Sequence, residues 1–87
     1  MKYYLYILKS LVDNNFYVGI TQNIQKRLAY HNEGRVKSTK HRVPFKMIYT
    51  EEYSLRKEAR EREKYLKSYK GYKEKRGIIN TALSSNG

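Results

Sequence analysis

Two short apolar segments near the N-terminus, each carrying tyrosine and joined by a polar turn, constrain the fold more than any other feature. Tyr4-Leu5-Tyr6 and Tyr17-Val18-Gly19 lie on either side of Asp13-Asn14-Asn15, a run of residues that favours a turn. Aromatic and β-branched segments bounded in this way are typical of a β-hairpin. Because the segment from Tyr3 to Lys9 is apolar on both faces, we expect it to lie inside a sheet with cover on both sides.

The remaining chain alternates between helix and strand signals. Asn23 and Ser54 are predicted to cap two helices, and Gly34 and Gly71 to end them. Pro44 can open a strand but cannot lie within its ladder. The predicted elements are strands Tyr3–Lys9, Phe16–Ile20 and Phe45–Thr50, and helices from Ile24 to about Glu33, from Leu55 to about Tyr69 and from about Tyr72 to Ala82. The predicted buried stripes are Ile24, Leu28 and His31 on the first helix, and Leu55, Ala59, Leu66 and Tyr69 on the second.

This order of elements, β-β-α-β-α-α, predicts an α+β fold. A chain of 87 residues is long enough for one small domain with a modest core. We expect residues 1–83 to form that domain and residues 84–87 to be a flexible tail.

The charge balance indicates a polyanionic partner. Nineteen lysine and arginine residues against eight acidic residues give a formal charge of +11, which favours nucleic acid over other partners. The chain has no cysteine, so disulfides and thiolate zinc sites are excluded. The N-terminal apolar run is too short for a signal peptide, and no run reaches membrane-spanning length. We therefore expect a cytoplasmic protein without a membrane partner.

The basic residues are unevenly distributed along the chain. Only four of the nineteen precede Arg35, and the loop from Gly34 to Pro44 is rich in cations. Crowded like charges repel one another unless an anion is bound, although the same residues can serve solubility alone. We expect sequence-independent binding with a steep salt dependence. The residues predicted to contact nucleic acid are Arg35, Lys37, Lys40, His41, Arg42, Lys67 and Lys70.

Three further residues, together with the tyrosines of the hairpin, form a pattern of side chains that is typical of a catalytic site. Arg27 and His31 follow the hairpin at helical spacing, and Glu63 lies at the edge of the apolar stripe of a later helix. Each also has a structural interpretation. Any one of ten tyrosines can be an ordinary strand residue, His31 can be a core histidine, and Glu63 can pair with Lys67 four residues on.

The ordered set resembles the GIY-YIG nuclease superfamily, as a small stand-alone member similar to the N-terminal domain of excinuclease C. Tyr4-Leu5-Tyr6 stands where the family has Gly-Ile-Tyr, and Tyr17-Val18-Gly19 where it has Tyr-Ile-Gly. Arg27, His31 and Glu63 occupy the positions of the family's arginine, its tyrosine or histidine, and its metal-binding glutamate. The resemblance covers most of the chain, from about Tyr3 to Lys67.

The resemblance implies a three-stranded antiparallel sheet flanked by helices, and hydrolysis of a DNA strand with a single divalent cation, Mg²⁺ or Mn²⁺. It implies that Glu63 holds the metal and that Arg27 binds a phosphate oxygen. Tyr6 or Tyr17 would take the proton of the attacking water, with Tyr6 the preferred base, and His31 would relay the proton or position the water. Such an endonuclease would be structure-selective or weakly sequence-specific and suited to DNA repair or recombination.

A different class of function is compatible with the same composition. The chain can be a nucleic-acid-binding module, for DNA or RNA, that kept the fold and lost useful turnover. The positive charge supports both hypotheses equally, whereas the tyrosine, arginine, histidine and glutamate positions favour the nuclease.

Overall fold

The structure, a computed structural model, describes residues 1–84. A three-stranded antiparallel sheet in the spatial order β2-β1-β3 is flanked by three helices, which confirms the predicted α+β fold and its order of elements. The strands are β1 (Tyr3–Ser10), β2 (Phe16–Thr21) and β3 (Phe45–Tyr53), and the helices are α1 (Ile24–Asn32), α2 (Arg56–Lys67) and α3 (Tyr72–Ser84). A short 3₁₀ turn, Lys40–Arg42, interrupts the loop between α1 and β3.

The central strand β1 is covered on both faces, as its composition predicts. Leu5 and Ile7 point to one face and pack with Leu66 of α2 and Ile79 of α3. Tyr6 and Leu8 point to the other face, where Phe45 and Leu28 of α1 cover them. Because successive strand side chains alternate between faces, a continuous apolar run is what a doubly covered strand requires.

The conformation of the turn between β1 and β2 depends on its two asparagines and on Asp13. Asn14 adopts a left-handed conformation with φ 60°, which asparagine tolerates better than most residues. The Asp13 side chain accepts a 2.8 Å hydrogen bond from the Asn15 amide, and the Ser10 amide donates to the Asn15 carbonyl at 2.9 Å. These bonds close the hairpin and set the register in which Tyr6 faces Gly19.

Helix α1 begins and ends where the sequence predicts. The Asn23 side chain accepts a 2.9 Å hydrogen bond from the Lys26 amide, and Gly34 takes a φ of +74° just beyond the helix end. The Asn32 side chain then accepts from the Phe45 amide at 2.7 Å and donates to its carbonyl at 3.1 Å. This amide fixes the last turn of α1 to the first residue of β3.

Three predictions about the middle of the chain were wrong. Strand β3 extends to Tyr53 because it pairs along the whole of β1. Helix α2 begins after Leu55 without a side-chain cap, so Ser54 does not cap it, and it ends at Lys67. Ala59 and Leu66 are buried as predicted, but Leu55 and Tyr69 are exposed because they lie outside the shorter helix.

Helix α3 is present as predicted, and it continues to Ser84. Ser84 is therefore helical, and the other residues of the predicted tail lie outside the described part of the chain. No helix within residues 1–84 combines the length and the apolar character needed to cross a membrane.

A polar cluster that the sequence did not predict joins α2 and α3 to β3. The Glu51 carboxylate accepts hydrogen bonds from Tyr49 at 2.5 Å, from Tyr53 at 2.6 Å and from the Arg62 guanidinium at 2.9 and 3.0 Å. Arg62 also pairs with Glu74 at 2.6 Å. Although burial would raise it, these hydrogen bonds hold the pKa of Glu51 below its usual range. The cluster orients both helices on one face of the sheet.

Two glycines near the α2–α3 connection provide a matched test of this packing. A Cβ atom at Gly71 would clash with the Tyr65 backbone carbonyl, whereas one at Gly77 would enter open space. We expect Gly71→Ala to destabilise the protein by about 2 kcal/mol or more. We expect Gly77→Ala, inside α3, to stabilise it by about 0.5–1 kcal/mol. Urea unfolding measures both, and equal effects would contradict this packing of the turn.

Candidate active site

The buried hydroxyl of Tyr6 is the centre of a polar site on the α1 face of the sheet. Tyr6 is only 1 % exposed, and its Oη lies 3.0 Å from Nε2 of His31. The Nε of Arg27 donates a hydrogen bond to the same oxygen at 3.3 Å. Arg27 and His31 are four residues apart on α1, so one helical face presents both groups to a single strand residue.

Gly19 makes room for the Tyr6 phenol. The two residues are directly opposed in the β1–β2 ladder, and a Cβ atom on residue 19 would lie 2.5 Å from the Tyr6 Oη. A side chain here would push the ring away from α1. The glycine of the Tyr17-Val18-Gly19 segment therefore has a steric reason, which is the close approach of the aromatic ring to the backbone.

Thr39 fixes the orientation of the buried imidazole. His31 and Thr39 are both fully buried, and Nδ1 of His31 lies 2.9 Å from the Thr39 Oγ1. The Thr39 hydroxyl in turn donates to the Val36 carbonyl at 3.5 Å. With Nδ1 protonated, Thr39 accepts from His31, and Nε2 is free to accept from the Tyr6 hydroxyl. The opposite tautomer would leave the buried Tyr6 proton without an acceptor, so we assign the Nδ1–H form.

The environment keeps both partners neutral near pH 7. Burial raises the pKa of Tyr6, and the neighbouring Arg27 offsets only part of that increase. Burial, together with the positive charge of Arg27, lowers the pKa of His31 to about 4. The resting site therefore consists of a neutral phenol that donates to a neutral imidazole, beside a permanently charged guanidinium.

The two remaining predicted residues lie around this centre. The Tyr17 ring is 6.4 Å from the Tyr6 ring and 5.0 Å from the His31 ring, measured between centroids. Nζ of Lys67 lies 5.6 Å from the Tyr17 ring centre and 3.0 Å from Oε2 of Glu63. The negative charge of Glu63 also contributes to the raised pKa of Tyr6. The structure thus places Tyr6, Tyr17, Arg27, His31 and Glu63 in one neighbourhood.

Glu63 has the properties of a carboxylate that can hold one hydrated cation. Its side chain is 16 % exposed, and one oxygen pairs with Lys67 while the other faces no donor within residues 1–84. Within the same residues, no group of three or more histidine, aspartate and glutamate side chains could enclose a metal. Mg²⁺ is commonly held by one or two carboxylates together with water and substrate phosphate, and the Glu63 carboxylate is suited to this mode of binding.

The predicted nucleic-acid contacts divide into paired and unpaired cations. Arg35 pairs with Glu33 at 2.7 Å, Lys67 pairs with Glu63, and Arg42 pairs with Asp13 at 2.9 Å. The Arg42 guanidinium also lies 5.5 Å from the Phe45 ring centre. Through Asp13 and Phe45, Arg42 connects the β1–β2 turn to the start of β3. Of the seven predicted contacts, the exposed basic residues without an ion pair among the described residues are Lys37, Lys40, His41 and Lys70.

Sequence reasoning missed two residues of this site. Thr39 lies in a loop eight residues after His31, and a lone threonine among basic residues carries no signal. Tyr30 lies between two guanidinium groups, 5.3 Å from Arg27 and 5.7 Å from Arg35. A tyrosine three residues after an arginine on one helix is a detectable signal for such stacking.

The contact between Gly19 and the Tyr6 ring predicts a steric conflict that one variant can relieve. We expect Gly19→Ala to cost about 1–3 kcal/mol and to shift the ¹⁵N resonances of His31, because the phenol must move. In a Tyr6→Leu background, which removes the clashing atoms, the same change should cost much less. Urea unfolding and imidazole NMR test this, and an equal cost in both backgrounds would contradict the contact.

The low pKa of His31 predicts that acid weakens the fold between about pH 6.5 and about pH 4. Below about pH 6.5 the histidine of the unfolded chain becomes protonated, whereas buried His31 in the folded protein stays neutral until about pH 4. Stability should therefore fall as the pH drops through this window, by about 3 kcal/mol in total. Unfolding free energies of wild type and His31→Gln at pH 4.5 and 7 test this. The exposed His41→Gln is the control, and an unchanged pH slope in His31→Gln would contradict the assignment.

Sequence similarity to known proteins identifies the family of this chain. The family description GIY-YIG catalytic domain matches residues 2–76. The UPF0213 protein of Staphylococcus haemolyticus is 42 % identical over 69 residues, covering 78 % of this chain and 83 % of that protein. The UPF0213 protein of Bacillus licheniformis is 44 % identical over 66 residues, covering 75 % and 67 %.

A solved structure supports the same relationship. The solution NMR structure of a UPF0213 protein from Bacillus halodurans aligns with a TM-score of 0.55 and 28 % identity, over 93 % of this chain and 85 % of that one. The segment matched by the family description contains the hairpin, α1 and the glutamate of α2. On these grounds the chain belongs to the GIY-YIG domain family and is a homologue of the UPF0213 proteins.

Proposed function

We propose that this protein is a divalent-metal-dependent endonuclease that hydrolyses a phosphodiester bond in DNA. The observation that carries the proposal is the Tyr6 hydroxyl held between the guanidinium of Arg27 and Nε2 of His31. A family that is typically nucleolytic supports a nucleic-acid substrate.

Tyr6 and His31 together supply the base. A free phenolate is unfavourable here because burial raises the pKa of Tyr6. The neutral imidazole avoids a free phenolate, since Tyr6 passes its own proton to Nε2 of His31 as it takes a proton from the attacking water. The negative charge of a bound phosphate would offset the Arg27 charge that helps to lower the pKa of His31. The imidazolium that forms keeps its Nδ1–H on Thr39, so no new buried donor is left unsatisfied.

Arg27 and Glu63 carry the charge that the reaction needs. The Arg27 guanidinium donates one N–H to Tyr6 and can direct the others at a non-bridging phosphate oxygen. Glu63 would hold the divalent cation, which when bound supplies charge neutralisation for the phosphate and its leaving oxygen. Lys67 neutralises Glu63 in the resting protein and competes with the cation for the carboxylate.

Tyr17 is assigned to orientation. Its hydroxyl makes no hydrogen bond within residues 1–84, and its ring packs on Tyr6, His31 and the Lys67 ammonium. This free hydroxyl is suited to position the attacking water, while the buried Tyr6 has the proton acceptor that a base requires. The two tyrosines differ in the partner of the hydroxyl, because only that of Tyr6 reaches the histidine.

The substrate class follows from the surface around the site. The net charge of +11 and the unpaired loop lysines favour phosphate contacts. A domain of this kind selects DNA by its backbone and shape, because phosphate contacts position a protein without reading sequence. We therefore propose structure-selective or weakly sequence-specific cleavage.

Replacing the carboxylate tests the proposal directly. Purified protein is incubated with nicked, branched and supercoiled DNA in Mg²⁺ or Mn²⁺, with a chelator as the metal-free control. We expect Glu63→Gln to reduce cleavage about 100-fold or more, a loss typical of removing one group that stabilises transition-state charge. DNA binding should persist, because the change removes a negative charge.

Glu61→Gln, an exposed position on the same helix, is the matched control and should cleave like wild type. Binding without cleavage on every substrate would contradict the nuclease and favour a nucleic-acid-binding module. Cleavage that survives Glu63→Gln would remove the metal assignment. Competition with RNA in moderate salt decides whether DNA is the preferred ligand.

A further inference from the structure

The turn that joins α2 to α3 presents two tyrosines to solvent. Tyr69 is 97 % exposed and Tyr72 is 54 % exposed, although the helical spacing predicted that Tyr69 would be buried. With Lys70 and Lys73 these tyrosines line one open pocket at the surface. Two exposed aromatic rings that line one surface pocket offer apolar faces on which a planar ligand can stack.

The turn is rigidly built. Gly71 is buried against the Tyr65 carbonyl, and its amide donates to the Ser68 hydroxyl at 3.2 Å. The same hydroxyl donates to the Tyr65 carbonyl at 2.6 Å, and the Tyr72 amide donates to the Tyr69 carbonyl at 3.3 Å. The backbone is thus fixed on both sides of Tyr69, so the exposed ring projects from an ordered turn.

The charge around the turn matches phosphate. Lys70 and Lys73 are exposed and have no ion pair within residues 1–84, and Nζ of Lys75 lies 5.6 Å from the Tyr72 ring centre. The one acidic residue close by in sequence, Glu74, is already paired with Arg62. Aromatic faces interleaved with unpaired lysines are the composition of a surface that binds bases and phosphates together.

The turn directly adjoins the candidate active site. Lys67, the last residue of α2, contacts both Glu63 and the Tyr17 ring, and the turn begins at the next residue. A DNA strand that passes Glu63 can therefore reach the α2–α3 turn within a few nucleotides.

We propose that Tyr69 and Tyr72 form a stacking platform for unpaired bases, with Lys70 and Lys73 on the adjoining phosphates. Bases in a duplex already stack on their neighbours, so only unpaired nucleotides can use the platform. Because every base has an aromatic face, the platform is tolerant of sequence. The inference deepens the proposed function, on which it rests for the path of the strand, and it names the substrate class as DNA with a single-stranded segment beside the cleavage site.

The test measures binding without cleavage. Fluorescence anisotropy in chelator compares an unstructured strand of roughly 20 nucleotides with a duplex of the same length. We expect Tyr69→Ala to weaken strand binding about 5- to 100-fold, as loss of one base–aromatic stack does, and to change duplex binding less than about twofold. Tyr69→Phe keeps the ring and should bind like wild type.

Salt titration separates the roles of the tyrosine and the lysine. Lys70→Gln should lower the slope of log affinity against log salt by about 0.7 for the single strand, whereas Tyr69→Ala should leave the slope unchanged. Both side chains are exposed, so neither variant should alter the fold, which circular dichroism checks.

Several outcomes would overturn the platform. These are equal losses on strand and duplex, wild-type strand binding by Tyr69→Ala, and a change in sedimentation that shows the tyrosines join two copies of the chain. The nuclease proposal fails separately. If no substrate is cleaved but Tyr69→Ala still binds single-stranded DNA more weakly than wild type, the platform is supported and the nuclease proposal is contradicted. If DNA is cleaved but Tyr69→Ala binds single-stranded DNA like wild type, the nuclease proposal is supported and the platform is contradicted.

Discussion

The arrangement of the site depends on one constraint, which is that a buried phenolic hydroxyl must have all its hydrogen-bonding capacity used. Tyr6 meets this requirement with an acceptor, Nε2 of His31, and a donor, Nε of Arg27. His31 then needs Thr39 on its other nitrogen. Gly19 must lack a side chain so that the ring can reach these partners. The same hydrogen bonds that stabilise the fold are those along which the proposed mechanism moves a proton, so we expect a substitution at any of them to affect stability and activity together.

The two faces of the sheet are stabilised by different means. On one face, α2 and α3 pack on Leu5 and Ile7, and the Glu51–Arg62 ion pair fixes their orientation with its tyrosine partners. On the other face, α1 covers the polar site around Tyr6. Because α2 is held firmly on the first face, its end can present Glu63 and Lys67 beside Tyr17 at the edge of the sheet. The apolar packing of α2 and α3 on one face of the sheet thus supports the buried polar site around Tyr6 on the other face, where burying polar groups is less favourable than burying apolar ones.

The positive surface is more differentiated than its total charge implies. Arg42 is engaged with Asp13 and the Phe45 ring, so its contribution is at least partly structural. The cations of the α1–β3 loop and of the α2–α3 turn that lack partners within residues 1–84 lie in two separate segments of the sequence. Burial and pairing therefore decide which cations are available for a polyanion, and composition alone gives only their number.

Local patterns in the chain account for the hairpin, the limits of α1, the doubly covered β1 and the presence of α3, because each follows from turn chemistry, caps or apolar periodicity within a few residues. The family motif located Tyr6, Tyr17, Arg27, His31 and Glu63, and folding brings them into one neighbourhood. Long-range packing decided the rest. The length of β3 depends on pairing with β1, the exposure of Tyr69 depends on where α2 ends, and the Glu51–Arg62 cluster depends on how α2 docks on the sheet. Thr39 joins His31 through a loop conformation, which residue spacing does not encode.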